Sequence, residues 1–135
     1  MKYLADVNVL SEPTKGQAEA KVLQWLLAHH ADIVVDPIVL GEMWEGIVAL
    51  PDGRRKQNLM TWFHQTPSSL VCLDWTRRTA VVWAELRDEV RRRGFTVPLK
   101  DTMIAATAKL HGLIVATRNV DDFIRCGVHV VNPFV

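Results

Sequence analysis

The sequence predicts a three-layer α/β/α sandwich built on a mainly parallel sheet, and three observations carry that prediction. Short apolar runs of strand length recur along the chain, longer segments with helical spacing separate them, and Pro and Gly punctuate the joints. Strands that alternate with helices pair in parallel through right-handed crossovers, which leaves helices on both faces of one sheet. Ligands of such sheets sit outside the carboxyl ends of the strands, so chemistry is to be sought there.

In chain order, "KYLA" reads as the first strand and "AEAKVLQWLLAHH" as a helix whose Val22, Trp25 and Leu26 share a face. "DIVVD" is the second strand. The helix from Ile38 to Leu50 follows, striped by Leu40, Met43, Ile47 and Leu50, and "PDGRR" breaks it. Next come a helix over "RKQNLMTWFHQ", a strand over "LVCLD", and a long helix from Thr76 to Arg93 closed by Gly94. The last third reads as helix "KDTMIAATAKLHG", strand "LIVAT", short helix "VDDFIRC" and strand "VHVV". No linker or repeat divides residues 1–135, so one domain is expected.

Composition narrows the class. A chain of 135 residues with 49% hydrophobic and 23% charged residues is globular, and its net charge of +1 carries no signature of nucleic acid or membrane. "MKYLADVN" meets an acid before a signal-peptide core can form, and the apolar runs are too short to span a bilayer, so a cytoplasmic protein with no membrane partner is expected. Cys72 and Cys126 are too few for a zinc ribbon or a disulfide framework and read as free, mostly buried thiols. The five tryptophans read as core or interface residues, and none of the five histidines has ligand spacing.

Asp6 stands where the first strand ends. A turn carboxylate bonding its own backbone is one reading; membership of an acidic metal site is the other, and it needs partners. Asp101 opens a helix and shares the small-residue face of Ala105 and Ala108, so it points inward, where a carboxylate needs donors or a cation to offset desolvation. Glu42 follows the second strand at the same sheet edge as Asp6, whereas Glu45 reads as a solvated helix residue. Thr117, Arg118 and Asn119 emerge at a third strand end. Asn119 reads locally as a cap of the next helix, with ligation as its alternative and Asp122 one turn away as a substitute carboxylate. Among the cations, Lys100, Arg118, Arg54 and Arg55 are candidates to meet phosphates.

Together "DVNVLSEP", "GEM", "PLKDTMIAATAKLHGL" and "ATRNVDDF…GVHVVNPF" resemble the PIN-domain ribonucleases, specifically the VapC-type toxins of bacterial toxin–antitoxin pairs and their FitB-like relatives. The resemblance spans the whole chain. It implies a PIN-like fold and a metal-dependent endoribonuclease leaving 5′-phosphate and 3′-hydroxyl ends, with structured RNA as substrate. It also implies a homodimer and a cognate antitoxin partner, for which "IVLGEMWEGIVAL" with Trp44 is the candidate wall. The family pattern begins D-T-N, so Val7 departs from it while Asp6 and Asn8 conform. Asn119 matches the family's fourth acidic position, a second departure.

Asp6, Glu42 and Asp101 offer only oxygen, which suits Mg²⁺ or Mn²⁺ rather than zinc. The expected roles are ligation by Asp6, Glu42 and Asp101, catalytic participation of Asn119, and support from Asn8, Thr117 and Asp122. A dehalogenase-type phosphatase needs a second acid where Asn8 stands, and a receiver domain needs a late Lys that this chain lacks after Ile114. The remaining alternative is a PIN-like scaffold that binds RNA or an antitoxin without cutting.

Overall fold

A computed structural model describes all residues 1–135. Five short parallel strands form one sheet: β1 (Tyr3–Ala5), β2 (Ile33–Val35), β3 (Val71–Cys72), β4 (Ile114–Ala116) and β5 (Val130–Val131), in the order β3-β2-β1-β4-β5. Strand β1 lies at the centre, with Leu4 opposite Val34 on one side and Val115 on the other. The order reverses at β1: the chain runs outward through β2 and β3, then returns to β4 on β1's far side. That crevice is where an open parallel sheet binds its ligands.

The helices are α1 (Val7–Leu10), α2 (Ala20–His29), α3 (Pro37–Val48), α4 (Arg54–Gln65), α5 (Arg77–Arg92), α6 (Leu99–His111) and α7 (Val120–Arg125). Each long helix expected from the apolar spacing is present within a few residues of its expected bounds. The four-residue α1 is not among them, because Val-Asn-Val-Leu is a single turn, too short to show helical spacing. Strands of two or three residues that are buried on both faces bear no alternation, so Tyr3, Leu4 and Ala5 are all buried.

The core joins these strands to Val39, Met43 and Ile47 of α3, Leu86 and Val90 of α5, and Ile104, Ala105 and Ala108 of α6. Val39, rather than Leu40, heads the buried stripe of α3, since the helix begins at Pro37 and its first turn faces the sheet. Small side chains on α6 let its backbone approach closely, and this seats Asp101 against the strand ends. Gly112 ends α6 in the left-handed conformation at φ 65°, where a β-carbon would be strained.

One expectation is corrected here. Cys126 is buried, and that burial pushes its thiol up to about 12, but Cys72 is exposed because β3 is an edge strand. Trp44 packs on Phe63 and His64 of α4, at centroid distances of 4.9 and 5.3 Å, and stays half-exposed. No helix is long and apolar enough to cross a membrane.

Candidate active site

Asp6 follows β1, and its backbone N–H still donates across the sheet to the Ala116 carbonyl at 2.9 Å. The side chain makes the local backbone bond that the turn reading asked for and two side-chain bonds besides. Oδ1 accepts the Val7 N–H at 2.8 Å, capping α1, while Oδ2 accepts the Thr117 hydroxyl at 2.8 Å and the Asn8 amide at 3.3 Å. Thr117 is fully buried and holds this carboxylate in one orientation. Asn8 ties the same corner together from α1, donating to Thr117 Oγ1 at 3.3 Å and accepting the Arg118 N–H at 3.1 Å.

Asp101 is buried in the first turn of α6. Its Oδ2 accepts the Asn119 Nδ2 at 2.7 Å, and the same amide nitrogen donates to Asp122 Oδ2 at 2.9 Å. Asn119 occupies the N-cap position of α7, yet its side chain makes no capping bond; its backbone N–H donates to Thr117 Oγ1 at 2.9 Å instead. The local capping role is therefore overturned. One amide bridges two carboxylates, and Thr117 links that bridge to Asp6.

Glu42, in the second turn of α3, is half-buried and has no hydrogen-bond partner in the protein. Glu45 is exposed and paired with Lys100 at 3.1 Å, which removes Lys100 from the free cations. The acids are electrostatically coupled. Burial first, then the charges of Asp6, Asp122 and Glu42, push the Asp101 carboxyl up to about 7, against the opposing Asn119 bond. Burial and then the Asp6 charge raise Glu42, and burial raises Asp6 despite its three hydrogen bonds.

Sequence reading missed another buried acid, Asp36, at the end of β2. It is fully enclosed, accepting the Val39 N–H at 2.9 Å and the Thr107 hydroxyl at 2.7 Å. Its place after a strand and before Pro37 was the available signal.

The donor set fits a hard divalent cation in type and charge. Asp6, Glu42 and Asp101 carry oxygen only and form no ion pair within the protein, and the Asp6 charge raises the proton affinity of the other two. Their oxygens do not close on a common point: no group of three acidic, His or Cys side chains stands at the spacing of a complete coordination sphere. Asp101 is turned toward Asn119, and Asp6 toward Thr117, so both rotamers answer to protein donors.

A family model for the PIN domain matches residues 3–128. The toxin FitB of Neisseria gonorrhoeae is 33% identical over 135 residues, covering 97% of each chain. The VapC ribonuclease Y4jK of Sinorhizobium fredii is 29% identical over 133 residues, covering 96% of this chain and 95% of its own. The crystal structure of FitAcB from Neisseria gonorrhoeae superposes with a TM-score of 0.92 at 32% identity over 98% of each chain.

Proposed function

The chain belongs to the PIN-domain family, and on that premise we propose that it is a VapC-type toxin: a divalent-cation-dependent endoribonuclease held in check by an antitoxin. The observation that carries this reading is a set of three carboxylates in no ion pair, Asp6, Glu42 and Asp101, in which the Asp6 charge raises the proton affinity of the other two where β1 and β4 diverge. A structural cluster would be neutralised by Lys or Arg. Here Lys100 bonds exposed Glu45 and offsets the raised proton affinity of Glu42 only in part.

Asp6, Glu42 and Asp101 are assigned as the groups that hold Mg²⁺, with Mn²⁺ as a substitute, and Asp122 stands within reach of the same corner through Asn119. When bound, the cation lowers the pKa of water and draws charge from a phosphate oxygen, the chemistry that phosphodiester hydrolysis requires. Thr117 and Asn8 fix the Asp6 carboxylate before any ligand arrives, which limits the reorganisation needed on binding. Glu42 has no bond to lose and is the carboxylate free to orient a water or take its proton. Asn119 holds Asp101 and Asp122 at a fixed separation.

Partners follow from the family. A toxin–antitoxin complex from Klebsiella pneumoniae is among the structural relatives, as are VapBC structures. We assign this chain a cognate antitoxin, a homodimeric state and a cytoplasmic site of action on structured RNA. The test is incubation of the purified protein with total RNA in Mg²⁺ or Mn²⁺, beside an Asp6→Asn control. Discrete cleavage that chelator and the substitution both abolish is the expected result; undegraded RNA would overturn the nuclease assignment.

A further inference from the structure

We propose that Arg118, parked on the ring of Phe134, is the residue that binds a backbone phosphate of the RNA at the rim of the acidic site, a proposal that rests on the ribonuclease reading above. Arg118 lies between two residues of the site. Thr117 before it bonds Asp6, Asn119 after it bonds Asp101, and its own N–H is fixed by Asn8 Oδ1 at 3.1 Å. Such a cation ought to fold inward onto the carboxylates, because opposite charges at close range attract strongly away from bulk water. It does not. The guanidinium carbon sits 3.8 Å from the centroid of the Phe134 ring, and Arg118 joins none of the protein's ion pairs.

Phe134 is itself held in place. Its N–H donates to Asn132 Oδ1 at 3.0 Å, and the preceding Pro133 is buried. Because the Thr117 N–H bonds the Val131 carbonyl at 3.0 Å, the sheet register carries the C-terminal segment to the side of Arg118. Stacking on a half-buried ring supplies cation–π attraction and orients the planar fork while leaving its N–H groups exposed. This arrangement serves two ends. The positive charge stays off the acidic site, so it does not compete with a metal ion, and it stays beside that site, where a phosphodiester would otherwise meet only negative charge. Three other cations are already engaged by carboxylates. Lys100 is paired with Glu45, Arg92 with Asp88, and Arg125 lies 3.7 Å from Asp122.

The experiment uses the full chain, with a fluorescein-labelled single-stranded oligouridylate as the binding probe in Ca²⁺ and Mn²⁺ titration calorimetry without RNA. Arg118→Gln is expected to weaken oligouridylate binding about tenfold, the loss of one charge-assisted contact. Its salt dependence should be shallower by about 0.7 in log–log slope, as expected when one phosphate contact is removed from a single strand. Mn²⁺ affinity should be unchanged. Phe134→Ala should weaken both RNA and Mn²⁺ binding, because the freed guanidinium turns onto the acids, and the double variant Phe134→Ala/Arg118→Gln should recover Mn²⁺ affinity. That recovery is a coupling no merely structural role produces. Phe134→Tyr keeps the ring and should behave as the unmodified protein, which guards against loss of folding in the alanine variant. Arg92→Gln, on the paired cation, should change nothing. Unaltered affinity and salt slope in Arg118→Gln would overturn the proposal while leaving the nuclease intact. If the unmodified protein binds the probe but cleaves no RNA, the nuclease reading falls, and the Arg118→Gln binding result still decides this one. Failure of the unmodified protein to bind RNA at all would overturn both.

Discussion

Asp6 and Asp36 occupy the same place in two neighbouring parallel strands. Each is the residue after its strand, each is buried, and each accepts a backbone N–H at the start of the helix that follows. They differ in what lies beyond the cap. Asp36 is sealed by α6, whose Thr107 hydroxyl satisfies its second oxygen, and it has no exposed surface. Asp6 opens onto Asp101 and Glu42, whose proton affinities it raises. The same local grammar therefore yields a structural carboxylate where a neighbour closes over it and a reactive one where the sheet order reverses.

The largest effect that separates the two is on cleavage. Asp6→Asn should reduce RNA hydrolysis at least about a hundredfold, the usual scale for losing a group that acts on developing charge, while thermal stability holds or rises. Asp36→Ala should do the reverse, retaining cleavage in the folded fraction while losing about 3 kcal/mol, because a helix cap and a buried Thr107 hydroxyl are both left without an acceptor. Denaturant melts beside a gel-based cleavage assay measure both. Equal loss of activity from the two substitutions, with equal stability, would dissolve the distinction.

Metal sharpens it next. Mn²⁺ at about a hundredfold excess over its dissociation constant should stabilise the unmodified protein by about 2.7 kcal/mol. Asp6→Asn should lose most of that gain and Thr107→Val almost none, since Thr107 serves only Asp36. Thermal melts with and without Mn²⁺ give the answer, and an equal shift in both variants would mean the ion binds elsewhere.

A smaller effect is the pH dependence of the metal-free protein. The folded-state pKa of Asp101 is raised from 3.8 to about 7, so the folded protein retains a proton that the unfolded chain has released. Its contribution to stability is therefore fully present below 3.8 and is lost as pH rises toward 7. Asp101→Asn should flatten that slope and leave the variant more stable than the parent above pH 7, although it is inactive. Melts in chelator across this window test the sign; a slope of opposite sense would show that Asp101 is compensated in solution.

The helices and strands were legible because their apolar spacing is regular, and strand ends followed from that. Asp6, Glu42 and Asp101 could be gathered because each carries a carboxylate at one predicted sheet edge. Asp36 escaped because nothing local distinguishes an acid that a distant helix will seal from one it will leave open; Thr107 lies 71 positions away. Asn119 was misread for the converse reason. An Asn before a helix is locally a cap, and only the arrival of α6 beside it supplies Asp101 as a stronger acceptor. Cys72 was read as a mostly buried thiol because a strand's position at the sheet edge is a property of topology that the run "LVCLD" does not encode.

The subtlest expectation concerns that misread residue. Asn119 donates one amide nitrogen to Asp101 and Asp122, so it lowers repulsion between them while adding no negative charge. Three carboxylates from Asp6, Glu42 and Asp101 offset one divalent cation and fall short for two, so one Mn²⁺ should bind tightly and a second weakly unless RNA phosphate supplies the missing charge. Asn119→Asp removes the bridging donor and adds a fourth charge at the same corner. The metal-free variant should be less stable, because Asp101 and Asp122 then face a further carboxylate in place of the amide that bridged them, and the second Mn²⁺ should bind more tightly while the first changes little. Titration calorimetry on the RNA-free protein reads both steps. Two tight sites in the unmodified protein would instead show that Asp122, 2.9 Å from the Asn119 amide, already completes the acidic set and that Asn119 serves only as its tether.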